Sequence, residues 1–234
     1  KLIGSRRMGM DINKTVDEYE VVARGFLSLD GIDASAVKGA IIASVVPNIT
    51  NVFEMLTSRL FGVEALVVGA GIKTGMIIKT DNPREVGADR IANSVAAYVL
   101  YGGPVIVADF GTATTFDVVS EKGEYLGGTI SPGLQISTEA LFERTAKLPR
   151  VALQKPAAAI GKNTVNSMQA GIMYSVIGGI NYTVQAIWKE LGVHAKVIAT
   201  GGLAESVCQH AEIFDVVNKD LTLEGLRIIY SRNR

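Results

Sequence analysis

The chain has 234 residues, and its 23 lysines and arginines are matched by 23 aspartates and glutamates, for an isoelectric point near 7. That balance excludes the basic footprint by which proteins hold nucleic acid or an anionic membrane, and points to a small-molecule partner. The length admits one domain or two compact related halves. Cys208 is the only cysteine, so no internal disulfide can form, and nothing at the start reads as a signal segment; both facts suit a cytoplasmic location.

The chain opens at Lys1, without an initiator methionine, and runs at once into strand-like Leu2-Ile3. Thr15 to Leu29 spaces Val16, Tyr19, Val22 and Phe26 as a helix does. Ala40 to Val46 is short, rich in branched residues and closed by Pro47, as expected of a buried parallel strand. Thr50 to Phe61 reads as a helix, Glu64 to Val68 as a strand, and Asn82-Pro83 to Tyr101 as a helix entered through a proline turn.

A second series starts at Pro104. Strand Val105 to Ala108 leads into Asp109-Phe110-Gly111-Thr112, and Thr114 to Val119 and Tyr125 to Ile130 follow around the turn Glu121-Lys122-Gly123, a three-stranded meander. Then come a helix opened by Pro132-Gly133 and a long uncharged helix from Asn163 to Trp188. Polar residues spread along that helix, and the Gly178-Gly179 pair, favour a buried helix over a membrane span. Strand Lys196 to Ala199 ends in Thr200-Gly201-Gly202, and a short helix, strand Phe214 to Val217 and a helix from Thr222 to Arg232 close the chain.

The first half repeats helix, strand, helix, strand but has only a remnant of a meander, in Leu2 to Met10. The two halves correspond if a leading hairpin is missing, the plan of duplicated actin-like (ribonuclease H-like) βββαβα lobes with the active site between them. The lobes are expected at residues 1–101 and 102–234.

Three segments have the chemistry of a site. Asp109 to Thr112 puts a carboxylate at a strand's end, a glycine that lets backbone come close, and hydroxyls, as a phosphate or metal site needs; it also reads as an ordinary hairpin turn. Thr200-Gly201-Gly202 permits close approach of a nucleotide, or is a plain strand-to-helix turn. Gly87-Ala88-Asp89-Arg90 sets an acid beside a base within a helix: Asp89 can take a proton from an alcohol, and Arg90 can hold a carboxylate or phosphate; the alternative is an exposed charged pair. No zinc spacing, no G-x-S-x-G elbow and no Walker loop is present, and His194 and His210 have no patterned partner.

Eight segments occur in order: KTVDEY (14–19), SVVP (44–47), NPREVGADRIAN (82–93), DFGTATTFD (109–117), GEYLGGTISPGL (123–134), GKNTVNSMQAGI (161–172), TGGLAE (200–205) and LTLEGL (221–226). Together they resemble the type III pantothenate kinase family over essentially the whole chain. The resemblance implies a homodimer of the actin-like fold that uses ATP and a divalent metal such as Mg2+ to phosphorylate the primary hydroxyl of pantothenate, the first step toward coenzyme A, and that needs a monovalent cation, K+ or NH4+.

It implies, further, that Asp89 accepts the proton and that Gly87, Ala88, Asp89 and Arg90 contact substrate. Asp109 would be the monovalent-cation ligand, Thr112 would contact ATP beside Gly111 and the Gly201-Gly202 turn read above, and Thr164 would reach pantothenate in the neighbouring subunit's site. Two departures stand out: the family's D-x-G-N-T phosphate motif would fall ahead of Lys1, and Thr80 stands where the family often has an aromatic residue. Two other readings are an actin-like kinase for another small alcohol and a non-catalytic or regulatory relative that binds ligand without turnover.

Overall fold

The computed structural model describes residues 2–154 and 156–234; Lys1 and Lys155 lie outside them. The first helix, α1 (Val16–Leu29), is opened by Thr15, whose side chain accepts from the Glu18 amide while the Glu18 carboxylate accepts from the Thr15 amide. This reciprocal cap satisfies two amides that have no partner inside the helix. Strand β1 (Ala40–Ile42) pairs in parallel with β2 (Ala65–Val67), and α2 (Pro47–Phe61) runs between them with proline in its first turn. Tyr19, Leu56 and Leu60 pack α1 against α2.

Strand β3 (Ile77–Ile78) and helix α3 (Ala88–Tyr101) precede the meander β4 (Val105–Phe110), β5 (Ala113–Val119) and β6 (Glu124–Pro132). Helices α4 (Leu134–Glu143) and α5 (Thr164–Leu191) lead to β7 (Lys196–Thr200), α6 (Ala204–Cys208), β8 (Val216–Val217) and α7 (Leu221–Arg232). The six strands form one sheet in the order β3-β6-β5-β4-β7-β8, antiparallel within the meander and parallel from β4 through β7 to β8. Parallel neighbours need a crossover, and α5 and α6 supply these connections.

Alternation along the strands divides the core in two. Val105, Val107, Val119 and Ile198 face α3 and α7, where they cluster with Ala92, Val95 and Ile229. Ile106, Ala108, Phe110 and Val197 face the other way and cluster with Ile172, Ile180 and Val184 of α5. Strands covered on both faces read as continuous apolar runs, which is why β4 and β7 are conspicuous in the sequence.

The structure departs from the sequence reading in several places; the strand expected over Phe214 to Val217, for one, is only Val216–Val217. Leu2 to Met10 forms no strand: among the described residues no neighbouring segment supplies its backbone with a ladder. The expected strand Ala40 to Val46 is paired only over Ala40–Ile42 and is half-buried, because β2 offers it just three residues of ladder. Pro83–Glu85 is a separate 3-10 turn capped by Asn82, and α3 begins only at Ala88. Finally, β3, two residues long, has no counterpart in the sequence reading; it lies parallel to the start of β6. Among the described residues no helix is long and apolar enough to cross a membrane.

Candidate active site

The late start of α3 changes the setting of the acidic candidate. Gly87 is the N-cap, and Asp89 falls in the first turn, exposed, with its Oδ1 accepting the Arg90 amide at 2.8 Å. The positive end of a helix favours a carboxylate there. Asp89 therefore stands at the solvated first turn of the helix, not in its interior, and it does not form an ion pair with Arg90. Arg90 instead turns beneath α3 and meets Asp117 of β5.

A cavity of about 430 Å³ opens beside Asp89, lined by β1, the Ser44-to-Val46 turn and α2, and among the described residues Asp89 is the only ionisable side chain in its wall. Gly87 shapes the same place. A Cβ on Gly87 would stand 2.6 Å from Asp89 Oδ1, so the missing side chain leaves room for the carboxylate.

Asp109 is next to last in β4 and points to the α3 side of the sheet. Its Oδ2 accepts from Asn93 Nδ2 at 2.9 Å, and Asn93 Oδ1 accepts from the Thr222 hydroxyl at 2.7 Å, a relay that joins β4, α3 and α7. Asn93 is wholly buried, so its amide orientation is set by these two bonds. Burial pushes the Asp109 carboxyl above its ordinary range; the Asn93 bond pulls it down, and the charge of Asp89 adds to the upward push. The two acids thus feel each other across one site.

The hairpin loop after Asp109 and the loop after β7 lie side by side. Asp109 is in register with Thr200, and the Leu203 amide donates to the Phe110 carbonyl at 3.3 Å. Gly201 has φ +94, and a side chain there would run into Asp109 Oδ1 and lie 2.7 Å from Phe110 N. Glycine is required on both counts. Gly111, Thr112 and Gly202 are exposed beside these loops; the Gly111 amide donates to the Ala113 carbonyl at 3.1 Å.

The structure therefore brings Gly87, Ala88, Asp89, Asp109 and Gly201 to one end of the sheet, with Gly111, Thr112 and Gly202 on the adjoining loops. Thr164 is elsewhere. It is the first residue of α5 after the N-cap Asn163, and it lines a larger cavity of about 880 Å³ between α5 and the meander, where no charged side chain is found among the described residues. Asp117, Tyr125, Asn93 and Thr222 have places around the site that sequence reasoning did not assign. All four fall inside quoted motifs, but only their spatial partners show what they do.

Among the described residues a cation would have the half-buried carboxylate of Asp109, whose Oδ1 is left by the Asn93 bond. Among the described residues no three acidic, histidine or cysteine side chains converge on a metal position. A divalent ion here would take most of its oxygens from phosphate and water, the usual habit of Mg2+.

A meander continued by helix-linked parallel strands in this order, with carboxylates and glycine loops at one end of the sheet, defines the actin-like class of α/β proteins. The family model for type III pantothenate kinases matches residues 1–186, and the chain belongs to that family. A type III pantothenate kinase of Moorella thermoacetica is 54% identical over 227 residues, covering 97% of this chain and 89% of that protein. One of Geobacter sulfurreducens is 51% identical over 234 residues, covering 100% of this chain and 92% of that protein. Among solved structures, a conserved Baf family protein of Campylobacter jejuni superposes with a TM-score of 0.58 at 19% identity, over 86% of each chain, a likeness of fold.

Proposed function

We propose that the protein transfers the γ-phosphoryl group of ATP to the primary hydroxyl of pantothenate, giving 4'-phosphopantothenate, the first step of coenzyme A synthesis. Membership of the family supports the reaction. The observation that carries the site is Asp89, among the described residues the sole ionisable group of its cavity, at the amino end of α3 and within electrostatic reach of Asp109.

In this reading Asp89 orients the hydroxyl and accepts its proton as oxygen bonds to phosphorus. Phosphoryl transfer asks mainly for positioning and for stabilisation of spread charge, so an aspartate suffices. Gly87 and Ala88 let substrate approach the first turn of α3, and Arg90 holds the carboxylate of pantothenate. Gly111, Thr112, Gly201 and Gly202 cradle the phosphates of ATP with backbone and hydroxyl groups. Asp109 holds a monovalent cation, K+ or NH4+, and a bound divalent ion such as Mg2+ supplies positive charge to the phosphates.

Two lobes, residues 1–101 and 102–234, flank the site in this account, and two subunits associate along α5. Gly171, Gly178 and Gly179 have nothing within 4 Å of where a Cβ would stand, and Ser175 is exposed in line with them, so among the described residues the small-residue face is not covered by its own subunit. Another helix can approach such a face closely. Thr164 then reaches the partner's pantothenate. One cysteine and balanced charge support a cytoplasmic enzyme without nucleic-acid or membrane partners.

The test is a phosphate-transfer assay with pantothenate, hexoses and short hydroxy acids as alternative acceptors. Pantothenate-dependent formation of 4'-phosphopantothenate is expected, and turnover of a sugar in its place would reject the assignment.

A further inference from the structure

Beneath the first turn of α3 lies a polar cluster to which the proposed reaction gives no task. Asp117 stands in the middle of β5, facing α3, and is wholly buried. Its Oδ1 accepts from Arg90 Nε at 2.8 Å, from Arg90 Nη2 at 2.7 Å and from the Tyr125 hydroxyl at 2.6 Å. Its Oδ2 accepts from Thr115 Oγ1 at 3.2 Å. The Arg90 guanidinium also lies over the Tyr125 ring, 5.9 Å from its centroid.

A carboxylate buried this deeply is costly to keep charged: burial pushes the Asp117 carboxyl upward although Arg90, Tyr125 and Thr115 all pull it down. Burial likewise pushes the Tyr125 hydroxyl up, so it stays a phenol and a donor. A surface partner for Arg90 would need none of this. The arrangement makes sense for the geometry it imposes. Of the five N–H groups of a guanidinium, Asp117 engages the Nε and one Nη2 hydrogen, and among the described residues none accepts from Nη1. One edge of the fork is clamped, one face rests on an aromatic ring, and the opposite edge is left for a ligand.

We propose that Asp117 is a positioning residue, which with Tyr125 fixes the Arg90 guanidinium so that its outer edge meets the carboxylate of the substrate. This rests on the reading of Arg90 as a pantothenate contact. It assigns a substrate-binding task to a buried pair that would otherwise only tie α3 to the sheet.

Steady-state kinetics with pantothenate and with pantothenyl alcohol, in which the carboxylate is replaced by an alcohol, separate the two roles. Asp117→Asn is expected to raise KM for pantothenate about 10-fold or more, the effect of losing a charge-assisted contact, and to leave the constants for the alcohol within about 2-fold. Tyr125→Phe, which removes only the hydroxyl, should act in the same direction and more weakly. On an Arg90→Ala background Asp117→Asn should add nothing to the pantothenate KM, since it acts through Arg90. An unchanged pantothenate KM in Tyr125→Phe and in a folded Asp117→Asn, or equal loss with both substrates, would reduce the pair to a structural tie and overturn the proposal. If Asp117→Asn does not fold, Tyr125→Phe and its double mutant with Arg90→Ala decide. A wild-type enzyme that turns over neither acceptor would overturn the functional reading together with it.

Discussion

A methyl group on Gly87 would stand 2.6 Å from Oδ1 of Asp89 and 3.8 Å from Cγ1 of Val45, so the glycine defines where the Asp89 carboxylate can rest. Gly87→Ala is expected to push that carboxylate aside. Displacements of about 1 Å at a reacting group cost about 100-fold in rate, so kcat should fall about 10- to 100-fold. Stability should fall by about 1 kcal/mol or less, because glycine caps a helix better than alanine even though neither supplies a side-chain cap bond. Thermal unfolding and kcat measured on one preparation check this, and a Gly87→Ala enzyme with full kcat would show that Asp89 does not need the space. At this scale the sequence is read unevenly. The motif around Asp89 is conspicuous as a string, yet Arg90 looks like its neighbour's ion-pair partner until the fold shows Asp117, 27 residues away, in that place.

At the scale of elements, Asp109 gathers β4, α3 and α7 through Asn93 and Thr222, and β7 lies beside it in register at Thr200. A half-buried carboxylate next to bound phosphates is repulsive unless a cation lies between them. Asp109→Ala should therefore lose most of the rate and with it the dependence on monovalent cations. Rates in potassium and in a bulky organic cation measure this; a wild type equally active in both would refute the assignment. The meander, α5 and β7 are legible in the sequence because their periodicity is long and their turns carry glycine or charge, as in Glu121-Lys122-Gly123. Ile77–Ile78 is not, since two residues have no period and the pairing with β6 is a tertiary fact. Leu2 to Met10 shows the reverse: strand-like residues do not make a strand without a ladder to join.

At the scale of the whole molecule, the proposed dimer along α5 would link assembly to chemistry. Met168, Ile172, Met173 and Ile180 of this helix are buried within their own subunit and offer no apolar surface to a partner. What is left open is the small-residue face with Gly171, Ser175 and Gly178, beside an uncharged cavity that includes Thr164. Gly178→Leu should fill the place of an approaching helix, and association and turnover should weaken together. Light scattering alongside activity over a dilution series reads both, and a fully active monomer would eliminate the dimer's role.

Proton transfer from the pantothenate hydroxyl to Asp89 is the centre of the proposed mechanism, and kcat of Asp89→Asn tests it most directly. The amide keeps the side chain's shape but cannot accept the proton. With the fold verified by thermal unfolding, kcat for 4'-phosphopantothenate formation is expected to fall about 100- to 10,000-fold, the usual contribution of a general base, with KM for pantothenate little changed. Retention of more than about a tenth of the wild-type kcat, a barrier change of only about 1.4 kcal/mol, would contradict the account.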